Sequence, residues 1–177
     1  MRLAVVTGGA RSGKSRWAQD RALALGGDHV TVVATASAGD EEMARRIARH
    51  RAERRPTWTT IEAPREAGRA VGRATTDVVV LDCLTVLLGN TIDVATAARG
   101  EDAALAAMTT EVDGLLAAAR TRTGTLIVVT NEAGLGVHPP TEIGRWFRDG
   151  LGTANQRLVA AADEVVLMVA GLELRLK

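Results

Sequence analysis

Eight consecutive residues constrain this chain more than any other feature: Gly8-Gly9-Ala10-Arg11-Ser12-Gly13-Lys14-Ser15 match the pattern G-x-x-x-x-G-K-[ST] in full. They follow a short apolar run, Leu3–Val6, and open a helical stretch, Ser15–Leu25. That placement is what the pattern needs to act as a phosphate-binding loop. Glycines let the backbone curl so that successive N–H groups point at phosphate oxygens. The helix that follows turns its positive end on the same anion. Lys14 is expected to reach the β- and γ-phosphates, and the Ser15 hydroxyl to coordinate Mg²⁺. Of 22 basic residues only Lys14 and Lys177 are lysines. Position 14 therefore keeps a compact ammonium in a chain that elsewhere uses planar guanidinium groups. A glycine-rich turn with a fortuitous lysine is the alternative reading.

The rest of the chain alternates strand and helix signals. Val30–Ala34, Trp58–Ile61, Val78–Leu81 and Thr125–Thr130 read as further strands. Val78–Leu81 is wholly apolar, as befits a strand covered on both faces. The first helix shows Trp17, Arg21 and Leu25 at helical spacing. A second helix opens at Asp40-Glu41-Glu42 and runs to about Arg54, with Met43, Ile47 and either Ala48 or His50 along one side, before Pro56 ends it. Arg65–Ala74 is a weaker helix; Glu101–Ala119 and Glu142–Ala161 are longer ones. Val165–Val169 and Leu172–Leu176 flank Ala170-Gly171 as a hairpin would. This order implies βαβ units and a mostly parallel α/β sheet flanked by helices, with a C-terminal β-hairpin. Gly89–Gly100 reads as a surface loop. No linker divides the chain, so residues 1–177 are expected to form a single nucleotide-binding domain.

Composition excludes several classes. A chain of 177 residues buries enough surface to fold without disulfides or a structural metal. Its one cysteine, Cys83, leaves no disulfide framework and no cysteine-based zinc site. A net charge of +1 argues against a dedicated nucleic-acid binder. No apolar run is long enough for a transmembrane segment. The apolar run at the start is too short for a signal peptide, so a cytoplasmic protein is expected.

Further residues carry chemistry. Asp82 ends the buried run Val78–Leu81, beside the crevice where ligands of parallel sheets bind. It is placed to hold Mg²⁺ directly or through water; helix capping is the alternative. The segment from Arg45 to Arg55 sets six arginines around His50. Arg46, His50 and Arg54 share a helix face at i, i+4 spacing. Arginine forks bind phosphate, and a neutral imidazole among them can attack phosphorus. A solvated basic helix end explains the same arginines through the macrodipole. His29 and His138 read as a surface residue and a turn residue, and Cys83 as a small buried hydrophobe. Asn131-Glu132 follows a buried strand and faces the crevice side; Asn155-Gln156 is a polar contact or a surface pair. Thr130-Asn131-Glu132-Ala133 stands where a regulatory GTPase carries N-K-x-D, which counts against a switch protein.

Several blocks together resemble one family. They are Thr7–Ser15, Ala34-Thr35-Ala36, Asp40–Met43, Arg46-Ile47, His50, Trp58, Glu62, Leu81–Thr85, Thr130–Glu132, Gly134–Gly136, Phe147–Asp149, Gly152, Asn155-Gln156 and Ala161–Val165. The chain resembles the bifunctional adenosylcobinamide kinase / adenosylcobinamide-phosphate guanylyltransferases of cobalamin assembly over nearly its whole length. The resemblance implies a RecA-like P-loop fold, a homotrimer, and two reactions. GTP or ATP phosphorylates the aminopropanol hydroxyl of adenosylcobinamide. GMP then passes from GTP, through a histidine–GMP intermediate, to adenosylcobinamide-phosphate. It implies that His50 is the guanylylated residue and that Gly8–Ser15 is the phosphate loop. Ala34, Thr35, Ala36, Arg51, Ala52, Glu53, Arg54, Glu62 and Asp82 are implied as further nucleotide contacts. The chain departs from the pattern at Arg49, where some members carry a second histidine, at His138, and in the less apolar Leu88–Ile92. Two other readings compete: a small-molecule kinase without guanylyltransferase activity, and a non-catalytic nucleotide-binding subunit.

Overall fold

Along β1 (Arg2–Gly8) successive side chains leave on opposite faces of a sheet. Leu3 and Val5 enter one apolar core, Ala4 and Val6 another. The same alternation repeats in β2 (Val30–Ala34), β4 (Val78–Asp82) and β5 (Thr125–Val129). Such strands need cover on both sides, and the helices between them provide it. The computed structural model describes residues 1–39 and 41–177, with the side chain of Arg46 excepted. Asp40 as the opener of the second helix, and Arg46 on the face of His50, lie outside the described residues.

The sheet has seven strands in the order β3-β2-β4-β5-β1-β6-β7, where β3 is Thr59–Glu62, β6 Glu164–Val169 and β7 Leu172–Arg175. All pairings are parallel except β6 with β7, the expected hairpin. One face is covered by α1 (Lys14–Gly26) and Trp58. The other is covered by α3 (Ala67–Arg73), α4 (Leu84–Thr91), α6 (Glu101–Thr121) and α7 (Glu142–Ala161). α3 and α6 touch backbone to backbone: a Cβ on Gly68 would lie 2.3 Å from the Gly114 carbonyl carbon. α2 (Glu41–Ala52) stands apart, and among the described residues none of its side chains is fully buried. It lies at the carboxyl end of the sheet, where the strand-end residues face it.

One expectation is corrected. Gly89–Gly100 is no surface loop: α4 runs through Thr91, and a further helix, α5, spans Val94–Ala98. Leu84, Leu87, Leu88 and Thr91 are buried at i, i+3, i+4 and i+7, an amphipathic stripe interrupted only visually by Gly89-Asn90. Asp93 caps α5, its side chain accepting from the Thr96 N–H at 2.8 Å. The helix signalled by the spacing of Trp17, Arg21 and Leu25 is present as α1, and its buried stripe is Lys14, Ala18 and Ala22, where alanines let the helix lie close on the sheet. Leu25 is 43% exposed.

Candidate active site

The glycine-rich loop leaves β1 where only glycine fits. Gly8 has φ +146°, and a Cβ there would meet the Met168 carbonyl oxygen at 2.4 Å. Arg11 is left-handed at φ 56° and Gly13, the N-cap of α1, at φ 104°, so the chain curls into a nest of amides. Gly13 brings no side chain to the first amides of α1, which leaves them for an anion. Lys14 is only 7% exposed. Its Nζ donates to the Gly9 carbonyl at 2.5 Å and reaches the Ser12 hydroxyl at 3.4 Å.

The hairpin braces this loop from behind. The Gly171 N–H donates to the Ser12 carbonyl at 3.0 Å. Met168 Cε and Gly171 Cα lie 3.3 and 3.4 Å from where a Cβ of Gly13 would stand. The Trp17 indole N–H donates to Glu173 of β7 at 2.6 Å.

α2 separates two cavities, and His50 lines both. The larger, about 640 Å³, is walled by Ala10–Arg16 on one side and by Glu42, Arg45, Arg49, His50 and Glu53 on the other, with Asp82 and Asn131 between. The smaller, about 60 Å³, lies behind His50 against Ala34, Ala36, Met43, Ile47 and Glu62. The pattern on α2 explains the division: Met43, Ile47 and His50 project to one side, Glu42, Arg45, Arg49 and Glu53 to the other.

Asp82 is the hinge of the site's electrostatics. Its Oδ2 accepts from Arg54 Nη2 at 3.1 Å and stands 3.7 Å from His50 Nδ1. Burial raises its carboxyl, but the nearby His50 imidazole and the Arg54 guanidinium outweigh that and hold it below the usual carboxylate range. His50 thus stands beside a carboxylate as well as among the arginines that surround it in sequence. Ser15 shares the large cavity with Asp82.

The sequence-derived residues divide clearly. Ala10, Arg11, Ser12, Gly13, Lys14, Ser15, His50, Glu53 and Asp82 meet around the large cavity. Gly8 and Gly9 shape the loop behind it. Ala34, Ala36, Arg51, Arg54 and Glu62 meet around the small one, where Arg51 faces Glu62 at 3.9 Å. Thr35 and Ala52 stand outside both. Thr35 is 0% exposed. Its hydroxyl accepts from the Cys83 N–H and donates to the Cys83 carbonyl, each at 2.9 Å, so its side chain bolts the end of β2 to the end of β4 instead of facing a ligand. Ala52 lies on the exposed outer side of the last turn of α2.

Other residues lay outside the nucleotide contacts that the resemblance implies. Arg45 and Arg49 line the large cavity; helical spacing from Glu42 was the signal. Asn90, read as part of a loop, donates from one amide to the Thr35 and Pro64 carbonyls at 2.8 and 2.9 Å. Asn131 reaches the large cavity on a backbone held by the Thr85 hydroxyl at 2.9 Å and by Asn155 at 3.0 Å. Cys83 is half-buried and lines both cavities, more open than a core residue. His29 is exposed, and His138 pairs with Arg148 at 2.8 Å.

Residues 4–176 match the family described as CobU, cobinamide kinase / cobinamide phosphate guanyltransferase. The chain belongs to this family. It is 39% identical over 185 residues to the bifunctional adenosylcobalamin biosynthesis protein CobU of Salmonella typhimurium, with 98% of each chain covered. It is 37% identical to the protein of that name from Escherichia coli K12, again over 98% of each. It is 39% identical to the bifunctional adenosylcobalamin biosynthesis protein CobP of Pseudomonas aeruginosa, covering 98% of this chain and 96% of that one. Among solved structures, an ATPase from the type III secretion system of pathogenic bacteria superposes with a TM-score of 0.58 at 14% identity, over 94% of this chain and 51% of that one. The flagellar accessory protein FlaH of Methanocaldococcus jannaschii gives 0.50 at 14%, over 99% and 78%. These two show the fold alone: a mostly parallel sheet flanked by helices, as expected for this chain. Among the described residues no helix is long and apolar enough to cross a membrane.

Proposed function

We propose that this chain phosphorylates the aminopropanol hydroxyl of adenosylcobinamide with GTP or ATP, and then transfers GMP from GTP to the resulting phosphate by way of a guanylylated His50. One observation carries the reading: His50 and the phosphate loop face each other across a single cavity. A triphosphate held by the loop can therefore present its α-phosphate to the imidazole.

In the kinase step the loop amides and Lys14 hold the β- and γ-phosphates in line with the acceptor hydroxyl. In the first transfer step His50 attacks the α-phosphorus; the bond to the β-phosphate oxygen breaks and pyrophosphate leaves with the electron pair. The Nδ1 edge of His50 faces Asp82, so Nε2 is the nitrogen left for attack. The guanine would lie in the small cavity, where Glu62 can accept from its N1–H and amino group; adenine lacks that pair of donors. The donor set suits Mg²⁺, an oxygen-seeking ion that takes one or two protein ligands plus phosphates. Ser15 and Asp82 would hold it, and when bound it neutralises charge developing on the phosphates.

Incubation with α-labelled GTP tests the reading. An acid-labile, alkali-stable label on the wild-type protein, absent from His50→Ala, is expected. Without any label, only the small-molecule kinase or the nucleotide-binding subunit remains. The resemblance also implies a homotrimer, and the exposed Leu172, Leu174 and Leu176 beside β7 offer apolar surface for such an assembly to cover. Sedimentation equilibrium measures it.

A further inference from the structure

The reading above needs a place for the phosphate of the acceptor, and the cavity has two kinds of cation to offer it. Arg11, Arg16, Arg45 and Arg49 stand around the rim and are exposed, with Arg45 already 3.4 Å from Glu41. Lys14 lies in the cavity wall, more than nine-tenths buried, beside the uncapped amides of α1.

Stereochemistry chooses between them. Displacement at phosphorus is in line, so the entering and leaving groups occupy opposite sides. When His50 attacks, pyrophosphate leaves on the side away from the ring. When the adduct is discharged, the ring nitrogen is itself the leaving group. The incoming oxygen must then approach from the side that pyrophosphate vacated. Across the cavity from His50, that side is the phosphate loop.

We propose that the loop Gly8–Ser15 is also the acceptor-phosphate site: after pyrophosphate departs, the phosphomonoester of the corrinoid takes its place on Lys14 and the loop amides. This rests on the proposed guanylyl transfer. A phosphomonoester oxygen attacks the α-phosphorus, the P–Nε2 bond breaks, and its electron pair returns to the imidazole. The new bond is the pyrophosphate linkage of the product, and no proton needs to be removed from a dianion. The loop thus holds in turn the γ-phosphate of the kinase step, the pyrophosphate of adduct formation and the acceptor phosphate of its discharge. Two of these anions cannot occupy it together, so a phosphorylated acceptor bound too early blocks adduct formation.

Equilibrium binding of adenosylcobinamide-phosphate to the full-length, unguanylylated protein tests this. Inorganic pyrophosphate is expected to raise its apparent Kd in proportion to concentration, while binding of unphosphorylated adenosylcobinamide responds far less. Lys14→Ala is expected to erase most of the preference for the phosphorylated corrinoid, about tenfold or more. If pyrophosphate leaves the Kd unchanged, or if Arg49→Ala rather than Lys14→Ala erases the preference, the phosphate sits on the α2 rim and the inference is overturned. A wild-type protein that labels normally while pyrophosphate fails to compete sinks this inference alone. A protein that never labels sinks the guanylyl-transfer reading, and this inference falls with it.

Discussion

Oδ2 of Asp82 stands between two cationic side chains of one segment, 3.1 Å from Arg54 and 3.7 Å from Nδ1 of His50. It ties the carboxyl end of β4 to the segment of α2 and the turn that follows it. The arrangement gives stability a pH dependence. Burial opposes ionisation of Asp82, but the neighbouring His50 and Arg54 lower its folded value below the unfolded one. A group of that kind stabilises the fold above its unfolded pKa and loses the contribution as pH falls through the folded value. Asp82→Asn should therefore cost stability at pH 7, about 2–3 kcal/mol since Arg54 is left nearly buried and unpaired. The gap between wild type and variant should close below about pH 4. Urea denaturation at both pH values measures it; a gap that is unchanged in acid would refute the pairing.

Lys14→Arg should fail as Lys14→Ala does. The ammonium is enclosed by the Gly9 carbonyl and the Ser12 hydroxyl, and a planar guanidinium is longer than that space. Loss of a charged donor aimed at transferring phosphate is worth about 10²–10³ in kcat. Steady-state assay of γ-phosphate transfer decides this, and substantial activity in the arginine variant would show that a compact cation is not required.

Gly68 and Gly114 face each other yet should respond oppositely to alanine. A Cβ on Gly68 meets the Gly114 backbone at 2.3 Å, whereas one on Gly114 finds its nearest neighbour, Gly68 Cα, at 3.9 Å. Gly68→Ala must push α3 from α6 and should cost about 1–3 kcal/mol. Gly114→Ala should be neutral or stabilising by up to about 1 kcal/mol, as for an unstrained glycine in a helix. Thermal or urea unfolding of the two variants gives the comparison, and equal effects would contradict the backbone contact.

Asp93 offers a spectroscopic check on the corrected segment. The Thr96 backbone N–H, then Arg65 and the Thr96 side chain, lower its carboxyl to about 2. Carboxyl-carbon NMR should find that midpoint in the wild type and a higher one in Arg65→Ala. An ordinary aspartate value in the wild type would mean that α5 is not capped as described.

Much of this architecture was legible because strands buried on both faces have no polar residue to blur their limits. Val30–Ala34 is bounded by Asp28-His29 and by the small polar residues after it, and β2 has those limits. Glu142–Ala161 was equally clear, with Pro139-Pro140 before it and Thr141 as a cap whose side chain accepts from the Gly144 N–H. The phosphate loop could be read because its chemistry is contiguous. α4 was missed because Gly89-Asn90 has turn composition, while its burial depends on α6 and α7, which no local pattern reveals. The same holds for Thr35: the resemblance implied a nucleotide contact, but its hydroxyl meets backbone groups of Asp82 and Cys83 that only the sheet brings near. That His50 meets Asp82, and that α2 divides two cavities, are likewise tertiary facts.

The brace between the hairpin and the phosphate loop bears on how the protein is made. β1 sits between β5 and β6, and the carbonyl of Ser12 is held by the amide of Gly171. The residues that brace the loop from behind, Met168, Gly171 and Glu173, all belong to the second half of the chain. During synthesis the ribosome delivers the glycines and Lys14 early, but their partners much later. A nascent chain therefore carries the nucleotide-binding sequence long before it has a nucleotide-binding surface, and ligand capture must await the last strands.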